Sequence, residues 1–361
     1  MDFSRRCIIT ILLFLITVSC SQDSQHFAEI HTSEIPAIEL DHLFTITDSE
    51  DVYFLQISGV KSDSKGRTYL ADQQALSIHL FDQDGSYIES IGREGSGPGE
   101  FQSLLQIYID QQDRLIVYDV RQARNTIFVE MNNSWEPEQV FMIEGNRYGI
   151  ESVDADGNLI LRQSPPQNPK PGTYWFEHEL ATANLESGLT EQNVLMFKER
   201  GNLVLDNGFM QRIPFGRTTV LAASHNGDLY LVWNDQFELA KYNARMEFVD
   251  SLTVSIPNQP VSNEERNAAL DRLGDQFRFL GRGHIPESKP VISDMFIDRN
   301  ENIWLQTFDS PEYLILDREA NPVGSFDLQD DLRLAHVDDN RLYALKLSNQ
   351  GYEIHVFGFQ L

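Results

Sequence analysis

Residues 57–101 read ISGVKSDSKGRTYLADQQALSIHLFDQDGSYIESIGREGSGPGEF. An apolar run at 57–60 gives way to a polar turn ending in Lys65 and Gly66. A second run at 68–71 closes on Asp72, a third at 77–81 leads into a turn at 82–85, and a fourth at 87–91 precedes a glycine-rich exit. Four short runs with turn residues at each joint predict an antiparallel meander whose side chains alternate between two faces. One meander cannot cover both of its faces, so it requires neighbours of its own kind.

The chain supplies them. A kernel of apolar strand, polar turn and second apolar strand recurs six times, as GVKSDSKGRTYLAD, IYIDQQDRLIVYD, ESVDADGNLILRQ, LAASHNGDLYLVW, MFIDRNENIWLQT and LAHVDDNRLYALK. Aligned on Gly66, Asp113, Gly157, Gly227, Asn302 and Asn340, the repeats lie 47, 44, 70, 75 and 38 residues apart. Propeller blades recur every ~40–50 residues, and the two long intervals leave room for insertions. An ordinary β-sandwich explains periodic strands but not a repeated kernel. The reading is all-β: a six-bladed β-propeller of four-stranded antiparallel blades.

The segment IESIGREGSGPGEF, followed by LLQIYIDQQDRLIVYDVRQARNTIFV, resembles the NHL-type repeat, in which a glycine-proline-glycine-aromatic linker joins consecutive blades. The mature chain resembles the six-bladed β-propeller lipoproteins of Bacteroidetes-like bacteria, and PVISDMFIDRNENIWLQ adds to the likeness. This resemblance implies architecture more than function, because propellers host many unrelated activities.

Residues 1–19 read as a targeting segment. Arg5 and Arg6 precede an apolar run of eleven residues, 8–18, too short for the ~20 residues that span a bilayer and suited to a secretory signal. The sequence Thr17-Val18-Ser19-Cys20 resembles a lipobox, with Cys20 as the acylated residue and Thr17 where leucine is usual. Residues 20–34 are expected to form a tether, and 35–361 the propeller. The only other cysteine is Cys7, so the mature chain has no disulfide even at an exported address. The last repeat offers three strands, at 332–337, 341–347 and 352–357, while 35–46 contains an orphan strand. Ring closure by the N-terminal strand reconciles the two and removes free strand edges.

The second blade is placed at 104–141, the third from 148 and the fourth at 218–256. Four prolines in the nine residues 164–172 exclude a central strand there. The insertion at about 258–290 has a different character. Ser262 and Glu265 form a capping-box pattern, and Ala269, Leu270, Leu273 and Phe277 recur at helical spacing. One helix is predicted from 263 to about 279, ended by Gly281 and Gly283, either shaping the channel mouth or packing on a blade edge.

The chain holds 55 acidic and 28 basic residues, a formal net charge of −27, and −28 once residues 1–19 are removed. Such a field repels phosphate backbones, so nucleic acid is excluded as a partner. The Asp-rich turns lack the spacing of a calcium loop and fall where tight turns favour Asp, Asn and Gly. Nine scattered histidines show no zinc spacing. Gly92–Gly99 lacks the lysine and helix of a phosphate loop, and no GxSxG elbow occurs.

In a propeller the innermost strands line an axial channel. Polar candidates there are Ser58, Gln106, Glu151, Ser152, Thr219, Ser293, Asp294 and His336, with Arg217 and Arg282 placed near a rim. The leading expectation is an exported, lipid-anchored, monomeric module that recognises a glycan, peptide or envelope protein without catalysis or a cofactor. The alternative is a calcium-dependent hydrolase or lactonase, in which Glu151 and Asp294, with Gln106, would hold an axial ion.

Overall fold

The computed structural model describes residues 26–29, 35–104, 106–142, 149–154, 156–184, 190–256, 258–308, 312–348 and 351–361. The signal segment, Cys20 and most of the expected tether lie outside them. Six antiparallel sheets follow one another along the chain. Blade 1 comprises Ile57–Ser62, Thr68–Asp72, Ser77–Phe81 and Tyr87–Ile91. Blade 2 comprises Gln106–Ile109, Leu115–Asp119, Arg124–Met131 and Ser134–Met142. Blade 3 runs Gly149–Val153, Asn158–Gln163, Gly172–Asn184 and Thr190–Val204, with a fifth strand at Met210–Arg212.

Blade 4 is Thr219–Ala223, Leu229–Trp233, Phe237–Tyr242 and Phe248–Ser255. Blade 5 is Ile292–Ile297, Ile303–Thr307, Glu312–Leu316 and Pro322–Asp327. Blade 6 is Leu332–Val337, Arg341–Ser348 and Gly351–Gly358, completed by Asp41–Ile46. The first strand of each blade packs beside the first strand of the next, and the sixth returns to the first. The fold is a six-bladed β-propeller.

Closure is as the sequence implies. Asp41–Ile46 pairs antiparallel with Gly351–Gly358, setting Thr45 opposite His355 and Ile46 opposite Ile354. A hydrogen bond from Ser62 Oγ to Asp338 Oδ2, 2.8 Å, ties blade 1 to blade 6. Within the segment expected as a tether, His26–Glu29 adds in parallel to the outer strand of blade 4, with His26 opposite Leu252.

Each blade face is covered by the next blade, which explains why the second strands, such as Thr68–Asp72 and Leu115–Asp119, are buried at every position. Six apolar clusters fill the six blade interfaces. The turn after each inner strand uses its leading side chain as a cap. Asp63 Oδ1 accepts from the backbone N–H groups of Lys65 and Arg67. Asp110 accepts from Gln112 and Arg114, and Asp298 from Asn300 and Asn302. In blade 4 Ser224 takes this place, accepting from Asn226 and Asp228. These carboxylates serve their own turns.

The glycine-rich linker is a short closed loop. Arg93–Glu94 pairs in parallel with Glu100–Phe101, and the Glu100 carboxylate accepts from Ser96 N, Gly97 N and Arg93. Gly92 has φ 79°, and a Cβ there would stand 2.1 Å from the Phe101 ring, so only glycine lets Phe101 enter the cluster between blades 1 and 2.

The insertion corrects the sequence reading in one respect. Two helices form, α1 at Asn263–Leu273 and α2 at Asp275–Arg282. They are divided by Gly274, whose φ of 74° and ψ of 165° interrupt the helix. The Ser262–Glu265 capping box is present. Ala269, Leu270, Leu273 and Phe277 pack on Leu203 and Ile213 of blade 3 and the chain that follows it, so the helices buttress that arm. No helix among the described residues is long and apolar enough to cross a membrane.

Candidate functional site

The axial channel carries two cavities. The first, about 220 Å³, is lined by the C-terminal halves of all six inner strands and by two of the turns that follow them. Its charged and titratable lining is Lys61, Tyr108, Glu151, His225, Arg299 and His336. The second, about 450 Å³, lies on the blade 3 to blade 5 side, at the N-terminal ends of the inner strands of blades 4 and 5, and includes Arg162, Arg200, Arg212, Arg217, Asp294, Phe215 and Phe308.

Lys61 is the one charged residue of the Ile57–Ser62 strand, and it lines the chamber. Its ammonium lies 5.9 Å from the centre of the Tyr108 ring. It is half-buried at the surface of the cavity but sits deep in the ring, and that burial lowers its pKa while Glu151 opposes the shift. His336 Nε2 is 2.9 Å from Ser62 Oγ. Burial, and then Lys61, Arg299 and His225, hold its pKa well below 6.5, so the ring is neutral near pH 7. His225 is lowered by burial and by Arg299, against the opposing pull of Asp110, Asp113 and Asp339.

Among the described residues one carboxylate lines this chamber, and it is engaged. Glu151 Oε1 lies 2.7 Å from Arg162 Nε. The contact is an ion pair without hydrogen-bond alignment, since the Arg162 Nε atom is buried and has no aligned acceptor. In a chain of net charge −27, the centre of the ring is therefore basic. Cross-ring links narrow the mouth nearest the turns. Arg299 of blade 5 donates to Ser62 O of blade 1 at 3.3 Å, and Gln111 of blade 2 donates to His225 O of blade 4 at 3.0 Å.

Ser62, His336 and Asp338 come together without forming a nucleophile's relay. The single Ser62 hydroxyl hydrogen is directed to Asp338 Oδ2, which also accepts from Tyr343 OH at 3.2 Å. With that hydrogen used, His336 donates from Nε2 to Ser62 Oγ. A base that is donating cannot activate the hydroxyl.

The nominated residues fall into four groups. Glu151 and His336 reach the chamber, whereas Thr219, Ser293, Asp294 and Arg217 line the second cavity. Ser58, Gln106 and Ser152 join neighbouring blades, accepting from or donating to Leu104 O, Ile150 N and Ser224 O respectively. Arg282 is exposed at the end of α2 and lines neither cavity. Arg217 is tied to Asp235 at 2.6 Å and to Ser288, which anchors the insertion.

Glu151 and Asp294, nominated for calcium, line different cavities, and Asp294 Oδ1 accepts from Met295 N. Burial in the ring pushes the Asp294 carboxyl up, with Met295 N and Arg333 opposing. Among the described residues no three His, Cys, Asp or Glu side chains converge as a ligand set. Sequence reasoning missed Lys61, Tyr108, His225 and Arg299, and the arginines of blade 3.

Comparison with known proteins agrees on architecture. Residues 25–128 match the model of DUF5128, a family described as a six-bladed β-propeller. The crystal structure of a Bacteroides fragilis protein described as an exported protein superposes with a TM-score of 0.55 at 11% identity, covering 93% of this chain and 99% of that one. A Bacteroides vulgatus member of the DUF4221 family gives 0.53 at 13% identity, covering 91% and 99%. At these identities the shared property is the fold. A search of curated proteins gives no match.

Proposed function

We propose that the protein is a non-catalytic recognition module, exported and anchored through Cys20, whose ligand is a small anion or an anionic group of a larger molecule. One observation carries this reading: Lys61, Arg299, His225 and His336 face one chamber whose single carboxylate among the described residues is already paired. Cations held by a rigid, partly dehydrated wall attract a carboxylate, sulfate or phosphate far more than the same charges in water. The volume, about 220 Å³, is below the ~300–1,000 Å³ of sites for drug-sized ligands. It suits one acidic sugar or one amino-acid side chain.

The test is calorimetric titration at low salt with galacturonate, inorganic phosphate, a neutral hexose and calcium chloride. The expected result is binding of an anion but not of the neutral sugar, weakened about tenfold or more by Lys61→Gln, as loss of a charge-assisted contact predicts. If no anion binds, the reading fails. If calcium binds and Glu151→Gln/Asp294→Asn abolishes it, the hydrolase alternative takes its place.

A further inference from the structure

The second cavity gives the ligand more than one charge. We infer that Arg162, Arg200 and Arg212 form a second anion subsite at the open mouth, and that the ligand is a short acidic oligosaccharide threading from it into the chamber. This inference rests on the anion-binding reading of the chamber.

Four observations support it. First, the buried Nε atoms of Arg162 and Arg200 lack an aligned acceptor, each meeting only a carboxylate out of hydrogen-bond alignment, Glu151 at 2.7 Å and Glu199 at 3.3 Å. A bound anion would supply the aligned acceptor that each donor lacks. Second, the two cavities are neighbours: Leu221 lines both, and the Glu151–Arg162 contact lies between them. Third, the turn-side mouth is spanned by the Arg299–Ser62 and Gln111–His225 links and edged by Asp113 and Asp339, which act on His225. These links obstruct that end, which makes the arginine mouth the entrance in this reading. Fourth, Phe215 and Phe308 stand together in this cavity with ring centroids 6.2 Å apart. Flat apolar rings beside forked cations match a pyranose, which offers a C–H face for the ring and a planar carboxylate for the fork.

The spacing suits an oligomer. On the blade 4 inner strand, Thr219 belongs to the mouth and Ala222 to the chamber, three residues apart and therefore on the order of 10 Å. Two carboxylates at that separation require more than one sugar unit. Arg162 then has alternative partners, Glu151 in the free protein and a ligand carboxylate in the complex.

The experiment is a titration series with galacturonate, trigalacturonate, a neutral trisaccharide of the same linkage and triglutamate. It is run on the protein and on Arg212→Gln and Arg200→Gln/Arg212→Gln, with thermal melts to confirm folding. Arg212 is exposed, so its single variant tests the subsite even if the double variant is unstable. The expected result is that trigalacturonate binds at least tenfold tighter than the monomer, and that this advantage shrinks in Arg212→Gln and disappears in the double variant. Equal affinity for monomer and trimer, or an undiminished advantage in both variants, overturns the second subsite while leaving the chamber reading intact. Triglutamate binding as tightly as trigalacturonate overturns the assignment to a sugar. Failure of every anion, monomer included, removes the chamber reading and this inference together.

Discussion

Glu151 and Arg162 lie 2.7 Å apart on adjacent strands of blade 3, one lining the basic chamber and the other the arginine-lined mouth. The pair neutralises the one acid of the chamber and occupies a guanidinium that would otherwise meet an incoming anion. Glu151→Gln should therefore raise affinity for galacturonate, by about three- to tenfold for one repelling charge removed at partial exposure. Glu151 also opposes the lowering of the Lys61 pKa, so the gain should shrink as pH rises. A partly exposed ion pair contributes ~1 kcal/mol or less, so the melting temperature should move little. Calorimetry at pH 6 and pH 8 checks both points, and unchanged or weaker anion binding at pH 6 would count against the paired-gate picture.

The histidines set a second dependence. His336 and His225 are both lowered below 6.5 in the free protein, mainly by burial. Lys61, Arg299 and His225 act on His336 in the same direction. Arg299 does so on His225, while Asp110, Asp113 and Asp339 oppose it. A bound anion favours the protonated rings and raises both pKa values, so binding takes up protons and tightens as pH falls. One fully linked proton is worth up to ~1.4 kcal/mol per pH unit, and affinity should rise about three- to tenfold between pH 7.5 and 5.5. His336→Gln should flatten the profile. For folding alone the sign is opposite: below pH 6.5 the unfolded chain protonates these rings first, so stability falls with pH. An affinity independent of pH would remove the histidines from the site.

How much of this was legible in the sequence depends on whether the signal was local. The blade kernel was, because each turn is built from its own residues. Alignment on Gly66, Asp113, Gly157 and Gly227 found the left-handed residue of four turns, with φ between 58° and 86°. In the fifth that residue is Glu301, with φ 63°, one before the Asn302 chosen, because glutamate announces no turn. Ring closure was legible as a mismatch between one orphan strand and one incomplete blade. The site was legible only where it lies on inner strands, as with Glu151 and His336. Arg299 reaches Ser62 across the ring from a turn, and Arg200 sits on a fourth strand of blade 3 that is longer than its period suggests. Neither contact is encoded by spacing.

The break between α1 and α2 was missed for a related reason, since helical spacing of apolar residues continues through Gly274. The backbone there lies at φ 74°, ψ 165°, and a Cβ would meet nothing within 4 Å. Gly274→Ala should thus destabilise the protein by conformational strain alone, about 1–3 kcal/mol. Urea unfolding would show it, and a neutral or stabilising effect would mean that the helices can fuse without cost.

Asp72 provides a test of the scaffold away from the channel. It is fully buried and accepts from the backbone N–H groups of Leu55, Gln56, Gln74 and Ala75. Burial pushes its carboxyl up, but His79, with Nε2 3.8 Å away, and these donors overrule it and bring the pKa down to about 2 from 3.8. The folded value is depressed, so its contribution is complete above the unfolded pKa and is lost as pH falls from about 4 through 2. Nearly two units correspond to ~2 kcal/mol. Asp72→Asn should remove about that much at pH 7 and little at pH 2, measured by urea midpoints at the two values. Equal losses at both would assign the effect to packing instead of charge.

Closure by the N-terminal strand makes the sharpest prediction about stability. Ile46 is 1% exposed and packs among Val52, Phe54, Tyr343, Ile354 and Val356 where blade 6 meets blade 1. Ile46→Ala should cost about 2–5 kcal/mol, the range for a buried aliphatic side chain truncated in a core. Deleting residues 1–47 should do more, because it also bares the outer edge of Gly351–Gly358, an eight-residue strand left with unpaired N–H and C=O groups, and uncovers Leu252–Ser255 of blade 4, where His26–Glu29 pairs. An exposed edge of that length recruits other chains. The truncated protein should therefore elute as higher oligomers, while Ile46→Ala elutes as the parent does but melts earlier. A truncated ring that stays monomeric and melts with the parent would show that three strands suffice for blade 6, and that Asp41–Ile46 only decorates it.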